Sequence, residues 1–239
     1  MTDPRQRVKE FLTWQNATSP FFLPKELLVR KSTPTVAPTA QFTPPMQGGD
    51  PEAAMALLAR DTAGCMKCRL SETRTKLVFG VGDVRARLLF IGEGPGEDED
   101  LQGIPFIGRA GQLLTKIIEN GLKIPRDSVY IANIVKCRPP KNRAPFKDEA
   151  DACIGYLKNQ IAIVRPEAIV LLGKTALEHL LGHDKMTIRD AREKNFEFEG
   201  IRVFVTYHPS ALLRSPDLKR PTWDDMKKVM AYLGLPVEG

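Results

Sequence analysis

Residues 88–108, LLFIGEGPGEDEDLQGIPFIG, carry the pattern on which the fold prediction rests. An apolar run of strand length enters a glycine-rich turn, which in α/β proteins commonly forms a cradle for phosphate. This turn fits neither the dinucleotide fingerprint, which needs glycine at Glu97, nor a P-loop, which needs a following G-K-[ST]. It also holds five carboxylates within eight residues, which would repel a phosphate. They are Glu93, Glu97, Asp98, Glu99 and Asp100. The glycines therefore indicate close approach of the backbone to a different kind of ligand.

Strand and helix patterns alternate along the chain beyond this stretch. Near-continuous apolar runs predict buried strands, and apolar residues at helical spacing predict helices between them, including 108–122 and 146–164. We therefore predict an α/β fold, a three-layer α/β/α sandwich with a central, mostly parallel, four-stranded sheet. The strand segments are 86–93, 128–136, 167–173 and a hairpin over 196–208 that turns at Glu199-Gly200.

Composition sets limits on the class of protein. The chain of 239 residues is 42% hydrophobic with a formal net charge of +6, which permits a polyanionic partner. It has no run of about 18 apolar residues and no apolar signal-peptide core at its N-terminus, so we expect a cytoplasmic protein without a membrane span. Prolines are frequent over 16–51. We predict a short helix over 5–15, an N-terminal extension with a Pro-rich linker over 1–50, and a folded domain over 51–239.

Polar loops follow three of the predicted strands, where ligands of parallel sheets bind. Glu93 comes directly after the first strand, and a carboxylate there can orient water or stabilise a developing cation. Asn133 lies late in the next β-rich run, either as a satisfied buried amide or as a group that recognises a base edge. Phe106 fits the core, or alternatively a stacking platform for a flat ligand. His208 ends the last strand and is expected to aim a hydrogen-bond donor into the same crevice.

Charged residues around this crevice form a basic set and an acidic set. Lys136, Arg138, Lys141 and Arg143 lie in the second loop, and Arg214 lies in the third. Such a charge run often belongs to a solvated face, but around one crevice it predicts a track for nucleic-acid phosphates. The acids over 97–100 are expected to face water or to lie near a helix N-terminus.

Four cysteines give a spacing of C-x2-C followed by two distant cysteines. Four thiolates fit a zinc site or an iron–sulfur cluster, and unrelated thiols are the remaining alternative. The spacing favours a metal over free thiols and does not choose between the metals. The cysteines are Cys65, Cys68, Cys137 and Cys153.

Three long segments, together with the four-cysteine pattern, closely resemble the family 4 uracil-DNA glycosylases. They are GEGPGEDEDLQGIPFIGRAGQLL (92–114), YIANIVKCRPPKNRAP (130–145) and HPSALLRSP (208–216). The resemblance begins near residue 54, reaches the final predicted helix and leaves the N-terminal extension outside. It implies a [4Fe–4S] cluster held by Cys65, Cys68, Cys137 and Cys153. Its implied role is structural, with redox sensing as an alternative.

The resemblance also implies a role for each residue of the crevice. Uracil is flipped out of DNA, Phe106 stacks on its face, and Asn133 and the backbone at Gly94 contact its polar atoms. Glu99 lies near the 5-position of the base and disfavours thymine. His208 donates to a uracil oxygen, and Glu93 orients the attacking water.

The segment after His208 resembles the loop with which these enzymes enter the duplex. Ser210 is implied to contact the substrate. Leu212 or Leu213 fills the space left by the flipped base, and Arg214 grips the DNA backbone.

The implied activity is that of a monofunctional glycosylase, which hydrolyses the N-glycosidic bond and leaves an abasic site for base excision repair. The expected partner is uracil-containing DNA, single- or double-stranded. A monomer is expected, with the N-terminal extension as a candidate site for a protein partner.

Three rival interpretations remain. One is a relative that becomes covalently attached to the sugar, but its inserted basic loop with a histidine is absent from residues 137–153. A non-catalytic iron–sulfur DNA-binding module is opposed by the joint presence of Glu93, Asn133 and His208. The third is an adapter tethered through residues 1–15.

Overall fold

A six-stranded sheet organises residues 49–236, the part of the chain that the computed structural model describes. Its strand order is β1-β3-β2-β4-β6-β5. The strands are β1 Val81–Gly82, β2 Leu88–Gly92, β3 Tyr130–Asn133, β4 Ala168–Leu172, β5 Phe196–Phe198 and β6 Ile201–Thr206.

The pairing of these strands confirms the α/β class and corrects the strand count. Neighbours among β3, β2, β4 and β6 pair in parallel, whereas β1 and β5 pair antiparallel at the two edges. The predicted four-stranded sheet is thus wrong as a count, because the mixed sheet has six strands. One edge strand, β1, has only two residues and no sequence pattern that marks it. The other, β5, comes from the predicted hairpin, which turns where Glu199 and Gly200 both have positive φ.

Helices connect the strands and follow them at the end of the chain. The longest, α4, spans 18 residues, and its predicted bounds of 146–164 are correct to within one residue. The eight α-helices of residues 49–236 are α1 Pro51–Ala63, α2 Glu97–Gln102, α3 Arg109–Lys116, α4 Lys147–Val164, α5 Lys174–Leu181, α6 Ile188–Ala191, α7 Pro209–Arg214 and α8 Lys219–Leu233. A π-helical turn, Ile117–Leu122, extends α3.

Two apolar clusters cover the two faces of the sheet. Alternate residues of β2 point to opposite faces: Leu89 and Ile91 join one cluster, and Leu88 and Phe90 join the other. The first cluster contains side chains of α1, α4 and α5, and the second contains side chains of α3 and α8. Helices therefore pack on both faces, which explains why every residue of β2 is buried.

Several expectations fall on residues that the structure leaves out. The helix predicted over 5–15 and most of the Pro-rich linker lie outside residues 49–236. Within the described range, no helix combines the length and apolar character needed to cross a membrane.

Candidate active site

A cavity of about 300 Å³ opens beyond the carboxyl ends of β2, β3 and β6. Most of its lining residues come from the three loops that the sequence placed at this edge, and Phe106 and Ala110 add to the wall. The cavity brings together eight of the predicted site residues: Glu93, Gly94, Glu99, Phe106, Asn133, His208, Ser210 and Arg214. Leu212 and Leu213 do not line it. Leu212 is buried, whereas Leu213 is 41% exposed.

Glu93 lies at the end of β2 and is half-buried. The hydroxyl of Thr175, in the first turn of α5, donates a hydrogen bond to Glu93 Oε2. The Glu93 carbonyl accepts from the Val135 N–H at 3.1 Å, which joins the first loop to the second. Within residues 49–236, Thr175 is the only residue that hydrogen-bonds the carboxylate, which leaves Oε1 available to a ligand or water.

Sequence reasoning missed Thr175. β4 pairs with β2 in the sheet, so its carboxyl end reaches the same edge. The signal available in the sequence was a threonine two residues after the strand-ending Gly173, at the start of a predicted helix.

Glu99 fixes the shape of the glycine-rich loop. Its Oε2 accepts from the Gly96 N–H at 3.1 Å, and its Oε1 accepts from the N–H groups of Ile107 and Gly108 at 3.0 and 2.9 Å. These bonds connect the start of α2 to the segment after Phe106. Both carboxylate oxygens thus bind backbone donors, so the observed contacts of Glu99 hold the loop.

The neighbouring acids differ from one another. Residues 97–100 all lie in the first turn of α2, where the helix dipole favours negative charge. Glu97 and Asp98 are exposed as expected. Asp100 is only 3% exposed, and its two oxygens accept from the Thr75 N–H at 2.9 and 3.0 Å. Of the two expected settings, Asp100 therefore has the helix N-terminus and not solvent, because a distant backbone donor binds it.

Phe106 belongs both to the core and to the cavity wall. It is buried in the cluster beneath the sheet, and its ring centroid lies 5.6 Å from that of His208. A Cβ at Gly92 would come within 2.4 Å of the Phe106 ring, so glycine is required there. The two readings of Phe106 that the sequence left open are thus compatible.

The backbone of Phe106 is held in an unfavourable conformation. Its φ is 54°, in the left-handed region that a bulky residue seldom adopts. Arg126 donates to the carbonyls of Pro105 and Phe106 at 3.0 and 2.9 Å and to Thr115 Oγ1 at 2.9 Å. Burial lowers the pKa of Arg126. The sequence contains no pattern that would have identified this residue.

Replacing Arg126 with Met should lower the free energy of unfolding by about 2–3 kcal/mol, because a charged donor to three acceptors is lost. Urea denaturation measures the difference. The matched control, Arg220→Met, removes an exposed arginine and should change stability by less than about 0.5 kcal/mol. Equal effects of the two substitutions would show that Arg126 does not restrain Phe106.

Asn133 presents a buried, unpaired polar atom to the cavity. It ends β3 opposite Gly92 and is 2% exposed. Within the described residues, its Oδ1 has no hydrogen-bond partner. A buried acceptor without a donor costs about 1–3 kcal/mol. An Asn side chain kept in this state, at the wall of a cavity, is suited to a ligand that brings a donor.

His208 is held as a neutral imidazole. It precedes α7, and its Nδ1 accepts from the Ser210 N–H at 3.2 Å. Ser210 Oγ lies 2.8 Å from the same nitrogen. Because Nδ1 accepts from a backbone donor, the ring proton resides on Nε2. Burial, and then the charge of Arg214, lower the pKa of His208 to about 4.

His208 should accordingly titrate near pH 4, which an NMR titration of its ring protons can follow with His208→Gln to assign the signal. The unfolded chain binds this proton below about pH 6.5. The stability contributed by neutral His208 is therefore present above that pH and lost as the pH falls toward 4. A midpoint near 6.5 would contradict the lowered pKa of His208.

The structure places the five basic residues of the predicted phosphate track in different settings. Lys136 is 1% exposed and lies in the interior, so its assignment to the track is wrong. Arg143 lines the cavity but donates two bonds to the buried Glu149, at 2.8 and 2.7 Å. Lys141 and Arg214 are exposed, and Arg138 is half-buried. These three members of the predicted track lie at the protein surface.

The four cysteines converge at a separate small cavity. Cys137 and Cys153 are buried, and Cys65 and Cys68 are half-buried. Arg74 donates to Cys137 Sγ at 3.1 Å, and the Lys136 N–H donates to Cys153 Sγ at 3.3 Å. Within residues 49–236, no three His, Cys, Asp or Glu side chains are grouped closely enough to hold one metal ion.

Comparison with known proteins finds several relatives that are uracil-DNA glycosylases. Residues 79–231 match the family model of the uracil DNA glycosylase superfamily. A type-4 uracil-DNA glycosylase of Thermotoga maritima is 42% identical over 186 residues, which cover 76% of this chain and 96% of that protein. One from Sulfurisphaera tokodaii is 42% identical over 179 residues, which cover 72% of this chain and 81% of that protein. A type-5 uracil-DNA glycosylase of Pyrobaculum aerophilum is 33% identical over 148 residues, covering 55% of this chain and 64% of that protein.

Proposed function

The chain belongs to the type-4 uracil-DNA glycosylases, and from that premise we propose that it flips uracil out of DNA and hydrolyses the N-glycosidic bond. It acts as a monofunctional glycosylase and leaves an abasic site. The observation that carries this proposal is the unpaired, buried Oδ1 of Asn133 at the wall of a cavity shared with Phe106 and His208.

Asn133 supplies the selectivity. Uracil has a donor at N3–H and an acceptor at O4, which match the acceptor Oδ1 and the donor Nδ2 of the side-chain amide. Cytosine presents an acceptor at N3 and a donor at its amino group, which would face like groups. Because the amide is buried, a mismatched base leaves buried polar atoms unpaired. Phe106 stacks on the base and fixes its plane.

His208 and Glu93 act on opposite sides of the breaking bond. As the bond between C1′ and N1 breaks, its electron pair moves into the uracil ring and negative charge develops on O2. The Nε2–H of neutral His208 donates to that oxygen. Glu93 stabilises the sugar cation and orients the water that adds to C1′, while the water proton passes to the carboxylate or to solvent.

The surface around the cavity meets the DNA. Arg138, Lys141 and Arg214 contact the phosphates. Ser210 supports His208 and contacts the substrate. Leu213 fills the space left by the base, because it is exposed whereas Leu212 is buried. Glu99 holds the loop, and a contact with the 5-position of the base remains a prediction.

We also propose that the four cysteines hold a [4Fe–4S] cluster. The four thiols line one small cavity, and four cysteine thiolates are the ligand set that such a cluster would need. The preference for this cluster over zinc is what the resemblance to the family 4 enzymes implies. Arg74 and the Lys136 N–H supply the hydrogen bonds that cluster sulfurs accept. When bound, the cluster supplies structural cross-linking.

We further propose that residues 51–239 form the glycosylase domain, and that the N-terminal extension with its Pro-rich linker (1–50), most of which lies outside the described residues, offers a site for a protein partner. The protein works as a monomer in the cytoplasm on single- or double-stranded DNA.

The activity is tested with oligonucleotides that carry one uracil, single- and double-stranded, followed by alkali. Cleavage at the uracil supports the proposal, and its absence in both substrates would refute it. A protein–DNA adduct that survives denaturation would indicate the covalent mechanism of the rival family instead.

Purified protein should be brown and contain iron and sulfide in equal amounts. Cys153→Ala should remove the colour and lower the midpoint of thermal unfolding by roughly 10 °C or more, because metal binding and folding are coupled. Visible absorption, metal analysis and thermal denaturation measure these changes. Colourless wild-type protein with stoichiometric zinc would contradict the cluster.

A further inference from the structure

Lys136 is a lysine in the protein interior. Its side chain is 1% exposed, and its Nζ donates to the Asn133 carbonyl at 2.9 Å and to Gln160 Oε1 at 2.6 Å. Among residues 49–236, no carboxylate pairs with it. Burial of an ammonium group is costly unless its charge and its donors are satisfied. A negative charge must therefore lie near the ammonium group. The presence of a lysine at this buried position also requires an explanation in terms of function.

The orientation of Gln160 is fixed by its other contacts. Its Nε2 donates to the Phe79 carbonyl at 3.0 Å and to the Tyr130 hydroxyl at 3.1 Å. Since the Phe79 carbonyl can only accept, the amide nitrogen must face it, and Oε1 must face the ammonium group. Gln160 thus forms a rigid second support for Lys136 Nζ.

Lys136 also contacts the four-cysteine site. Its N–H donates to Cys153 Sγ at 3.3 Å, and the next residue in the chain is Cys137. Its carbonyl accepts from the Val78 N–H at 2.8 Å. A cluster bound by four thiolates would carry net negative charge, and at this site it would help to balance the charge of the buried ammonium group.

The segment between Lys136 and Asn133 is joined to the catalytic loop. The Ile134 and Val135 N–H groups donate to the carbonyls of Gly92 and Glu93 at 3.0 and 3.1 Å. The Asn133 carbonyl, at the end of β3, is bound by the Lys136 ammonium group. These bonds consequently restrain the backbone that carries the Asn133 side-chain amide, both at Asn133 itself and over the two residues that follow it.

We propose that Lys136 is a positioning residue for base recognition, which holds the Asn133 backbone so that its side-chain amide meets the uracil edge, with the four-cysteine site balancing its charge. This inference rests on the proposed function. Through Lys136, the cysteine site would influence uracil selection without transferring electrons.

The test is a double-mutant cycle with Lys136→Met, Asn133→Ala and the combined variant, measured as single-turnover excision and as affinity for free uracil by equilibrium dialysis. Lys136→Met keeps the length of the side chain and removes its charge and donors. It should lower both the excision rate and uracil affinity about tenfold or more, while Lys158→Met, an exposed lysine on α4, changes neither.

In the Asn133→Ala background, Lys136→Met should cost less than about threefold in either quantity, because no amide remains to be positioned. Equal losses in both backgrounds would overturn the inference and assign Lys136 to general stability. An unchanged Lys136→Met protein would overturn it as well. Lack of uracil excision by the unaltered protein would instead overturn the proposed function.

If Lys136→Met does not accumulate as folded protein, Gln160→Met takes its place in the cycle. This variant keeps the lysine charge and removes the second support of its ammonium group. The same non-additivity with Asn133→Ala is expected, and additive losses would again refute the inference. Lys136→Arg, which keeps the charge, should retain more uracil affinity than Lys136→Met.

Discussion

Glu93→Gln should lower the single-turnover rate constant of uracil excision by about a hundred- to ten-thousandfold. Glutamine has nearly the shape of glutamate and can still bond Thr175, so the substitution removes the charge and the basic oxygen while keeping the side chain in place. The sugar cation then loses its nearby negative charge, and the attacking water loses its acceptor. Quenched-flow excision of uracil from a labelled oligonucleotide, with enzyme in excess, measures the rate constant.

Thr175→Val separates the effect of the orientation of the Glu93 carboxylate from the effect of its charge. It removes the hydroxyl that donates to Glu93 Oε2 but leaves the carboxylate intact, so a loss of about tenfold is expected. Both variants should keep wild-type thermal stability and DNA affinity. If Glu93→Gln retained wild-type turnover, the carboxylate that assists the reaction would have to lie elsewhere.

Local pattern was sufficient to predict the frame of this fold. The continuous apolar runs at β2 and β4 indicated strands covered on both faces, and each is entirely buried. The Glu199-Gly200 turn and the helix α4 were also predicted, because turn chemistry and helical periodicity are local properties. The polar residues at strand ends followed from the rule that parallel strands end at one edge.

Contacts between distant segments account for what was missed. Nothing in the two residues of β1 marks a strand until β3 offers an edge to pair with. Asp100 and Lys136 have ordinary surface chemistry, and only Thr75, Asn133 and Gln160, brought close by the fold, allow their burial. Their hydrogen-bond partners are distant in the sequence, so their burial becomes evident only in the folded structure.

His208→Ala should lower the excision rate constant by about a hundred- to a thousandfold, the usual cost of removing one donor to a developing oxyanion. The Nε2–H would donate to the uracil oxygen, and this hydrogen bond strengthens as negative charge accumulates on that oxygen. Substrate affinity should change much less, because the ground-state oxygen is neutral. Single-turnover rates at saturating and limiting enzyme concentrations separate the two effects.

The pH dependence distinguishes a neutral donor from an acid. Because burial lowers the pKa of His208 to about 4, its ionisation leaves the excision rate unchanged between pH 8 and roughly pH 5. An imidazolium acid with the ordinary histidine pKa near 6.5 would instead make the rate rise as the pH falls from 8 toward 6.5 and level off below it. Ser210→Ala, which removes the hydroxyl near Nδ1 but keeps the backbone donor, should cost less than His208→Ala. A rate that falls tenfold per pH unit above 6.5, and loses that dependence in His208→Ala, would show that the histidine acts in its protonated form.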